Sequence, residues 1–546
     1  MVFTINISVL VSLTCEHRPL GKRALLTWRE GRVRDMDRGE SMSDQHQEDV
    51  NDLATFGYKQ HLHRSLGSFS SFAAGYSYIS VLTGMFELFG FGYAFGGPRI
   101  FWTWLVVWIG QMMVAFCFAE LASRYPIAGS VYQWSKQLNG AIASWITGWV
   151  MLVGDVVTVA AVAIAMQIVL PAIWSGFEVF KNTTQNAVFL GIVVLILTTL
   201  LNMSGVHIMS IVNNIGVAAE LVGVTVFVIL LIFHTQRGPA VVLHSMGAGA
   251  GVPGSSFLGG GAALLLAVIM PAYVMYGFDT ACTLAEETKD PRRKGPRAIL
   301  TALAAAGLGG ALLLLFAIMA SPTLNPTKLG VAGLPYVIEA ALGTTLGKIM
   351  LVDVAVAIFV CTLAIQTATI RLTFAMARDN NLPFGHLLSR VSHKANSPIF
   401  PAIVSGVVAA LILVVNFGKP QIFTIVTSVA IVLVYIAYFV VTGSLLFKRG
   451  KTGMNEKGNG GLFSLGKWGP VVNGVAFLYG ILMSINLIWP RSSIYGSGVD
   501  AWGGLIFVVA VIAVGFVYYQ TVQRHKSARL GIVLDHRADS DSDIID

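Results

Sequence analysis

Charge is scarce in this sequence. Asp, Glu, Lys and Arg supply 12% of its 546 residues, whereas a soluble domain carries roughly 25%, so the chain cannot coat itself with the polar surface that water requires. Cysteine is scarcer still, at four residues, which excludes a disulfide scaffold, and Cys117, Cys282 and Cys361 lie in or beside apolar runs, where a cysteine is a small buried apolar side chain. No CxxC or HExxH spacing occurs, so no metal site is expected, and no cofactor motif is present. Gly450-Lys451-Thr452 is similar to the end of a phosphate-binding loop, but position 445, where the motif needs glycine, is leucine. Gly and Pro show no repeat, and 55% of residues are hydrophobic, which excludes collagen and disorder. The net charge of +8 is spread between apolar runs rather than along one face, which argues against nucleic acid.

What the chain has in quantity is long apolar runs. About 20 residues cross the roughly 30 Å hydrocarbon core as a helix, and runs of that order recur at about 66–96, 100–122, 140–172, 186–204, 210–234, 260–287, 298–320, 348–376, 400–416, 420–447, 468–489 and 502–520. The expected fold is an all-α polytopic membrane protein with 12 transmembrane helices. An even count puts both termini on one side. With the termini inside, the inner segments from residue 51 onward hold 21 Lys and Arg and the outer loops hold 7 (Arg99, Lys181, Arg237, Lys328, Lys348, Lys419 and Arg491). That bias marks the inner side as cytoplasmic.

The two tails differ from the rest. Residues 1–50 begin with an apolar stretch that lacks the basic start and the A-x-A-like site of a signal peptide. Ser12-Leu13-Thr14-Cys15 hints at a lipoprotein box with an oversized residue before the cysteine. The segment reads as a disordered cytoplasmic tail or an overextended start with its initiator at Met36 or Met42. Residues 526–546, with Asp539, Asp541, Asp543 and Asp546, read as a solvated cytoplasmic tail.

Two spans are interrupted. The first, Tyr76 to Glu87, has Gly84 midway; the sixth, Met270 to Asp279, contains Pro271 and Gly277. Pro removes a donor and Gly loosens the helix, which frees backbone groups at mid-membrane. Such breaks either allow close packing or build the substrate site of a secondary transporter. Charged residues inside spans cost about 2.5–3.5 kcal/mol on insertion scales and are candidates for function. They are Glu87, Asp155, Glu220, Asp279, Asp353 and Arg371. Asp279, Glu286 and Glu287 are expected to form a structural cluster with Lys289, Arg292 and Arg293; Asp155 and Asp353 are expected to bond neighbouring helices, and His207 to be inert.

Four motifs then carry a resemblance. Thr83-Gly84-Met85-Phe86, the stretch from Phe118-Ala119-Glu120 to Gly129-Ser130-Val131-Tyr132, Gly277-Phe278-Asp279 with Glu286-Glu287-Thr288-Lys289-Asp290-Pro291, and Phe374-Ala375-Met376-Ala377-Arg378-Asp379 with Leu382-Pro383 together resemble the amino acid-polyamine-organocation (APC) permeases, closest to the branch with GABA and choline permeases. The likeness covers about residues 55–525. It implies a leucine-transporter-like core of 5+5 inverted repeats, about 66–234 and 260–447, with two extra helices over 468–520. It implies that Ser80, Leu82, Thr83 and Gly84 bind a substrate carboxylate, that the unwound carbonyls from Tyr273 through Val274 and Tyr276 to Gly277 receive an ammonium, and that Tyr273, four residues before Gly277, is a gate or else a packing tyrosine. Relatives can carry lysine at the place of Glu220, in lieu of a sodium ion. Glu220 then takes up a proton or binds a cationic substrate group, or pairs with a base such as Arg371.

The resulting expectation is a plasma-membrane secondary permease for amino acids or related amines, not an enzyme, that works by alternating access with proton coupling or exchange. Its partners are a small-molecule substrate, the bilayer and, if coupled, protons. The alternatives are a choline or polyamine carrier, or a receptor or structural protein that does not transport.

Overall fold

The computed structural model describes residues 53–58, 62, 64–253, 261–392, 397–415, 422–450 and 462–526. Residues 1–52, the lysine and threonine of Gly450-Lys451-Thr452, and the acidic tail from residue 527 lie outside them. The chain divides into two units, Met1–Lys59 and Gln60–Asp546. The first unit is described at Leu53–Tyr58, one turn closed by the Gly57 amide on the Ala54 carbonyl at 2.9 Å.

The second unit is helical among its described residues, apart from isolated bridges at Leu66–Thr288 and Ser392–Ser397. Its first half runs α1 (Ser68–Ile79), α2 (Val81–Gly96), α3 (Ile100–Arg124), α4 (Ser130–Leu138), α5 (Ala141–Ile164), α6 (Met166–Ile173), α7 (Thr183–Met203) and α8 (Val206–Phe233). The second half runs α9 (Gly261–Ala267), α10 (Ile269–Val274), α11 (Thr280–Thr283), α12 (Pro291–Ala320), α13 (Pro326–Arg378), α14 (Ile399–Val415), α15 (Ile422–Lys448), α16 (Gly469–Ile488) and α17 (Gly503–Thr521).

Local chemistry starts these helices where they start. Asn182 caps α7 by accepting from the amides of Thr184 and Gln185, and Asn325 caps α13 by accepting from those of Thr327 and Lys328, with Pro326 at the first helical position. Nine helical stretches among the described residues are long and apolar enough to cross a membrane, with shorter apolar helices at Gly261–Val274 and Ile399–Val414. Ser68–Arg124, at 57 residues, exceeds one crossing; it bends at Ser80 and again at Gly97–Arg99. Pro326–Arg378 is likewise interrupted, at Gly333 and Gly343, where φ is positive. Its first part is a departure from the sequence reading, which left residues 321–347 as loop: the Asn325 cap and Pro326 start a helix there that apolar periodicity did not signal.

Apolar side chains are exposed along the outside of the bundle, among them Val106, Ile109, Ile215, Val222, Leu478 and Val509. In water such a surface would aggregate; in a bilayer it is the solvent-matched face. Glycines let helices meet closely inside. Trp104 and Trp108 of α3 lie where Cβ atoms on Gly310 and Gly307 of α12 would sit, and the Trp104 indole donates to the Gly307 carbonyl at 2.9 Å. Among the described residues four buried ion pairs, Arg449–Glu120, Arg378–Glu286, Arg371–Glu287 and Lys136–Asp379, sit near helix ends.

Candidate functional site

The site begins at a broken helix. Between α1 and α2, Ser80 takes φ +34°, a conformation uncommon for any residue but glycine. Its side chain caps α2 by accepting from the Thr83 amide at 3.3 Å. The break is therefore at Ser80 and not at Gly84, as the sequence reading had it. Gly84 is helical, and its lack of a side chain serves contact: a Cβ there would lie 2.4 Å from Val274 Cγ2. The two interrupted spans touch at that point.

The second break is also displaced from its expected start. Pro271 lies inside the helical run Gly261–Val274, where the Val268 amide bonds the Leu264 carbonyl and the Ala272 amide the Val268 carbonyl, both at 3.0 Å. The missing proline donor thus costs one bond without ending the helix, which continues through Tyr273 and Val274. Their place in the helix corrects the expectation of an unwound run from Tyr273. The chain unwinds at Met275–Asp279, with Gly277 at φ +83° and its amide held by the Tyr438 hydroxyl at 2.9 Å. A Cβ on Gly277 would fall 1.9 Å from Tyr78 Cδ1. Gly277→Ala meets both penalties and should cost about 1–3 kcal/mol; a thermal unfolding midpoint equal to wild type would refute this.

Buried carboxylates surround the breaks. Glu220 of α8 reaches the start of α2: its Oε1 accepts from the Ser80 hydroxyl at 2.9 Å and the Leu82 amide at 3.1 Å. The pairing of Glu220 with Arg371 is overturned, since Arg371 Nε is 3.2 Å from Glu287 Oε1. Glu87 accepts the Tyr273 hydroxyl at 2.9 Å. Asp155 accepts that of Tyr78 at 2.9 Å, and Asp279 accepts from Ser130 at 2.6 Å and from Tyr438. Tyr276 shares a hydrogen bond with Thr158 at 2.9 Å, and its ring meets those of Tyr78 and Tyr273 edge-on.

The expected acidic cluster thus separates. Glu286 and Glu287 are ion-paired to Arg378 and Arg371, whereas Asp279 is held by hydroxyls and belongs with Asp155. These two line one cavity with Ser130 and Thr283, of about 10 Å³, room for about one water. Asp353 is half-buried against Gly223 of α8, and His207 is exposed. A cavity of about 620 Å³ lined by Leu265, Asn486, Trp489 and Arg491 touches none of the predicted site residues. Among the described residues no group of His, Cys, Asp and Glu is placed to hold a metal ion.

Of the predicted site residues, Ser80, Leu82, Thr83, Gly84, Val274, Tyr276, Gly277 and Glu220 come together around the breaks, with Tyr273 a turn beyond. Sequence reasoning missed Tyr78, Thr158 and Tyr438, whose hydroxyls satisfy the site. In an apolar span they look like packing aromatics.

Residues 66–518 match the family model described as "Amino acid permease". The chain belongs to the amino acid permease family. It is 30% identical to the amino-acid permease BAT1 of Arabidopsis thaliana, over 80% of this chain and 88% of that protein. It is 26% identical to the methylthioribose transporter of Bacillus subtilis (68% and 81% covered) and 26% identical to the thiamine transporter thi9 of Schizosaccharomyces pombe (72% and 73%). Membership in the APC superfamily, implied by the four motifs, holds, and this permease is a multi-pass secondary transporter of amino acids or related organic molecules.

Proposed function

We propose that this permease is a proton-coupled carrier of amino acids or related amines, in which Glu220 and the substrate contend for one anion site at the start of α2. The observation that carries the reading is the Glu220 carboxylate on the Ser80 hydroxyl and the Leu82 amide. A helix N-terminus favours negative charge because its amides are free and its dipole is positive. Ser80, Leu82, Thr83 and Gly84 are the residues the resemblance assigns to substrate carboxylate, and in this conformation the Thr83 and Gly84 amides are turned onto Ser80. Two carboxylates cannot share that terminus without strong repulsion. A substrate carboxylate enters when Glu220 takes up a proton and releases the Leu82 amide; loss of that proton expels the substrate on the other side. The unwound carbonyls from Met275 to Gly277 receive the ammonium, and Tyr273 closes the site as a gate.

Around this site the chain forms twelve crossings, with inverted repeats at about 66–234 and 260–447 and extra helices over 468–520, within a permease domain of 55–525. Residues 1–50 and 526–546 are cytoplasmic tails, and the protein resides in the plasma membrane. Alternating access moves one bundle against the other.

Glu220→Gln tests the coupling. It mimics the protonated form, so binding and counterflow exchange should persist while accumulation driven by a pH gradient is lost. Omission of sodium should leave wild-type uptake unchanged. Accumulation by Glu220→Gln under a pH gradient, or collapse of wild-type uptake without sodium, would show that Glu220 is only structural.

A further inference from the structure

We propose that the Glu87 carboxylate recognises a cationic nitrogen of the transported substrate, which makes this a carrier for positively charged amines. The inference rests on the transporter reading above and adds a substrate class to it. It starts from an asymmetry among buried carboxylates. Glu120, Glu286, Glu287 and Asp379 each hold a Lys or Arg. Among the described residues Glu87, Asp155, Glu220 and Asp279, all near the breaks, hold none, so there the centre of the bundle gathers carboxylates and no base.

Within that second set Glu87 stands apart. Asp279 and Glu220 each accept from two donors, and Asp155 opens on the small cavity it shares with Asp279. Glu87 is 7% exposed, has the single donor Tyr273 on Oε1, and encloses Oε2 with no hydrogen-bond partner. A buried carboxylate oxygen without a partner is a strong cost unless something positive arrives to meet it. Glu87 lies three residues after Gly84, hence on the same face of α2, the face that touches Val274. Its one donor, Tyr273, meets the Tyr276 ring edge-on, with centroids 6.1 Å apart. Carboxylate and aromatic faces together are the chemistry that binds an ammonium. A second anionic group on the substrate would meet Glu87 and Asp155 with no base among the described residues to offset them.

The test uses purified full-length protein and four probes: L-lysine, choline, L-norleucine and L-glutamate. L-norleucine is close to L-lysine in shape and lacks the side-chain charge. Binding is read by thermal shift and transport by counterflow in proteoliposomes. Wild type should bind L-lysine or choline at least tenfold more tightly than L-norleucine, and L-glutamate not at all. Glu87→Gln should lose that preference, with cation affinity down tenfold or more and L-norleucine within twofold, while Glu87→Asp keeps it.

A wild-type preference for L-norleucine or L-glutamate overturns the proposal, as does the absence of any shift, and this comparison stands even if Glu87→Gln fails to fold. A Glu87→Gln variant that keeps cation preference and changes only its pH dependence also overturns it, because a proton would then be the occupant. Binding of L-lysine with no counterflow by any probe would instead sink the transporter reading and leave the Glu87 assignment standing.

Discussion

Gly84→Val is expected to abolish substrate binding in a protein that still inserts and folds. The Cβ alone would sit 2.4 Å from Val274 Cγ2, and the distance to Val274 Cβ would be 3.2 Å. Both lie below ordinary contact, so α2 and α10 must move apart where the two interrupted spans meet. Overpacking of this kind costs about 1–3 kcal/mol. The damage to binding is larger than that figure suggests, because the same displacement disturbs the Ser80 cap, the Leu82 amide and Glu87 together, and a site held by several groups loses them jointly. Affinity should fall by more than about 100-fold, about 2.7 kcal/mol or more. Gly84→Ala, with less to place, should lose about tenfold. Surface labelling of inserted protein and thermal shift with a bound substrate separate binding from biogenesis. Near wild-type affinity in correctly inserted Gly84→Val would show that the contact between α2 and α10 does not shape the site.

How much of this was legible in the sequence depends on the kind of signal. Apolar runs of bilayer length revealed the helical membrane protein, because an apolar run has no other stable place. Both breaks were found to within a few residues. The misplacement has one reason: Gly and Pro are the usual breaking residues, whereas Ser80 turns the first helix through its own cap, and the helix continues past Pro271 to Val274 despite the one bond the proline omits. Glu220 was legible as a costly charge in the membrane. Its partner was not, since Ser80 and Leu82 lie about 140 residues away in sequence, and nothing local to α8 points to them. Arg371 was the attractive choice only because opposite charges draw attention; its partner Glu287 lies at the same end of the bundle. Hydroxyl donors such as Tyr438 leave no trace, since a tyrosine in a span serves packing as readily as hydrogen bonding.

Arg371→Met should destabilise the protein strongly. Arg371 and Glu287 are each 1% exposed, so removal of the arginine strands a buried carboxylate at a cost of about 3–5 kcal/mol. The pair itself is imperfect: Arg371 Nη1 and Glu287 Oε2 are buried without a hydrogen-bond partner. Replacement of both by apolar side chains, Glu287→Leu with Arg371→Met, should therefore recover most of the loss, because the desolvation of two charges disappears with them. Function should not recover in step. The Glu287 carbonyl accepts from the amides of Ser65 and Leu66 at 3.0 and 2.9 Å, and the Lys289 amide returns to the Leu66 carbonyl at 3.1 Å. Through these bonds the segment after α11 is stitched to the one before α1, and the Arg371 pair anchors that stitch to α13. A carrier that alternates must close and reopen this end, so loss of the anchor should shift the balance of states and slow counterflow while the unfolding midpoint returns toward wild type. If the double variant is as unstable as the sum of the single losses, the ion pair is worth more than its incomplete hydrogen bonding implies. If it is stable and transports at the wild-type rate, the Arg371–Glu287 pair is a packing element and no part of the latch.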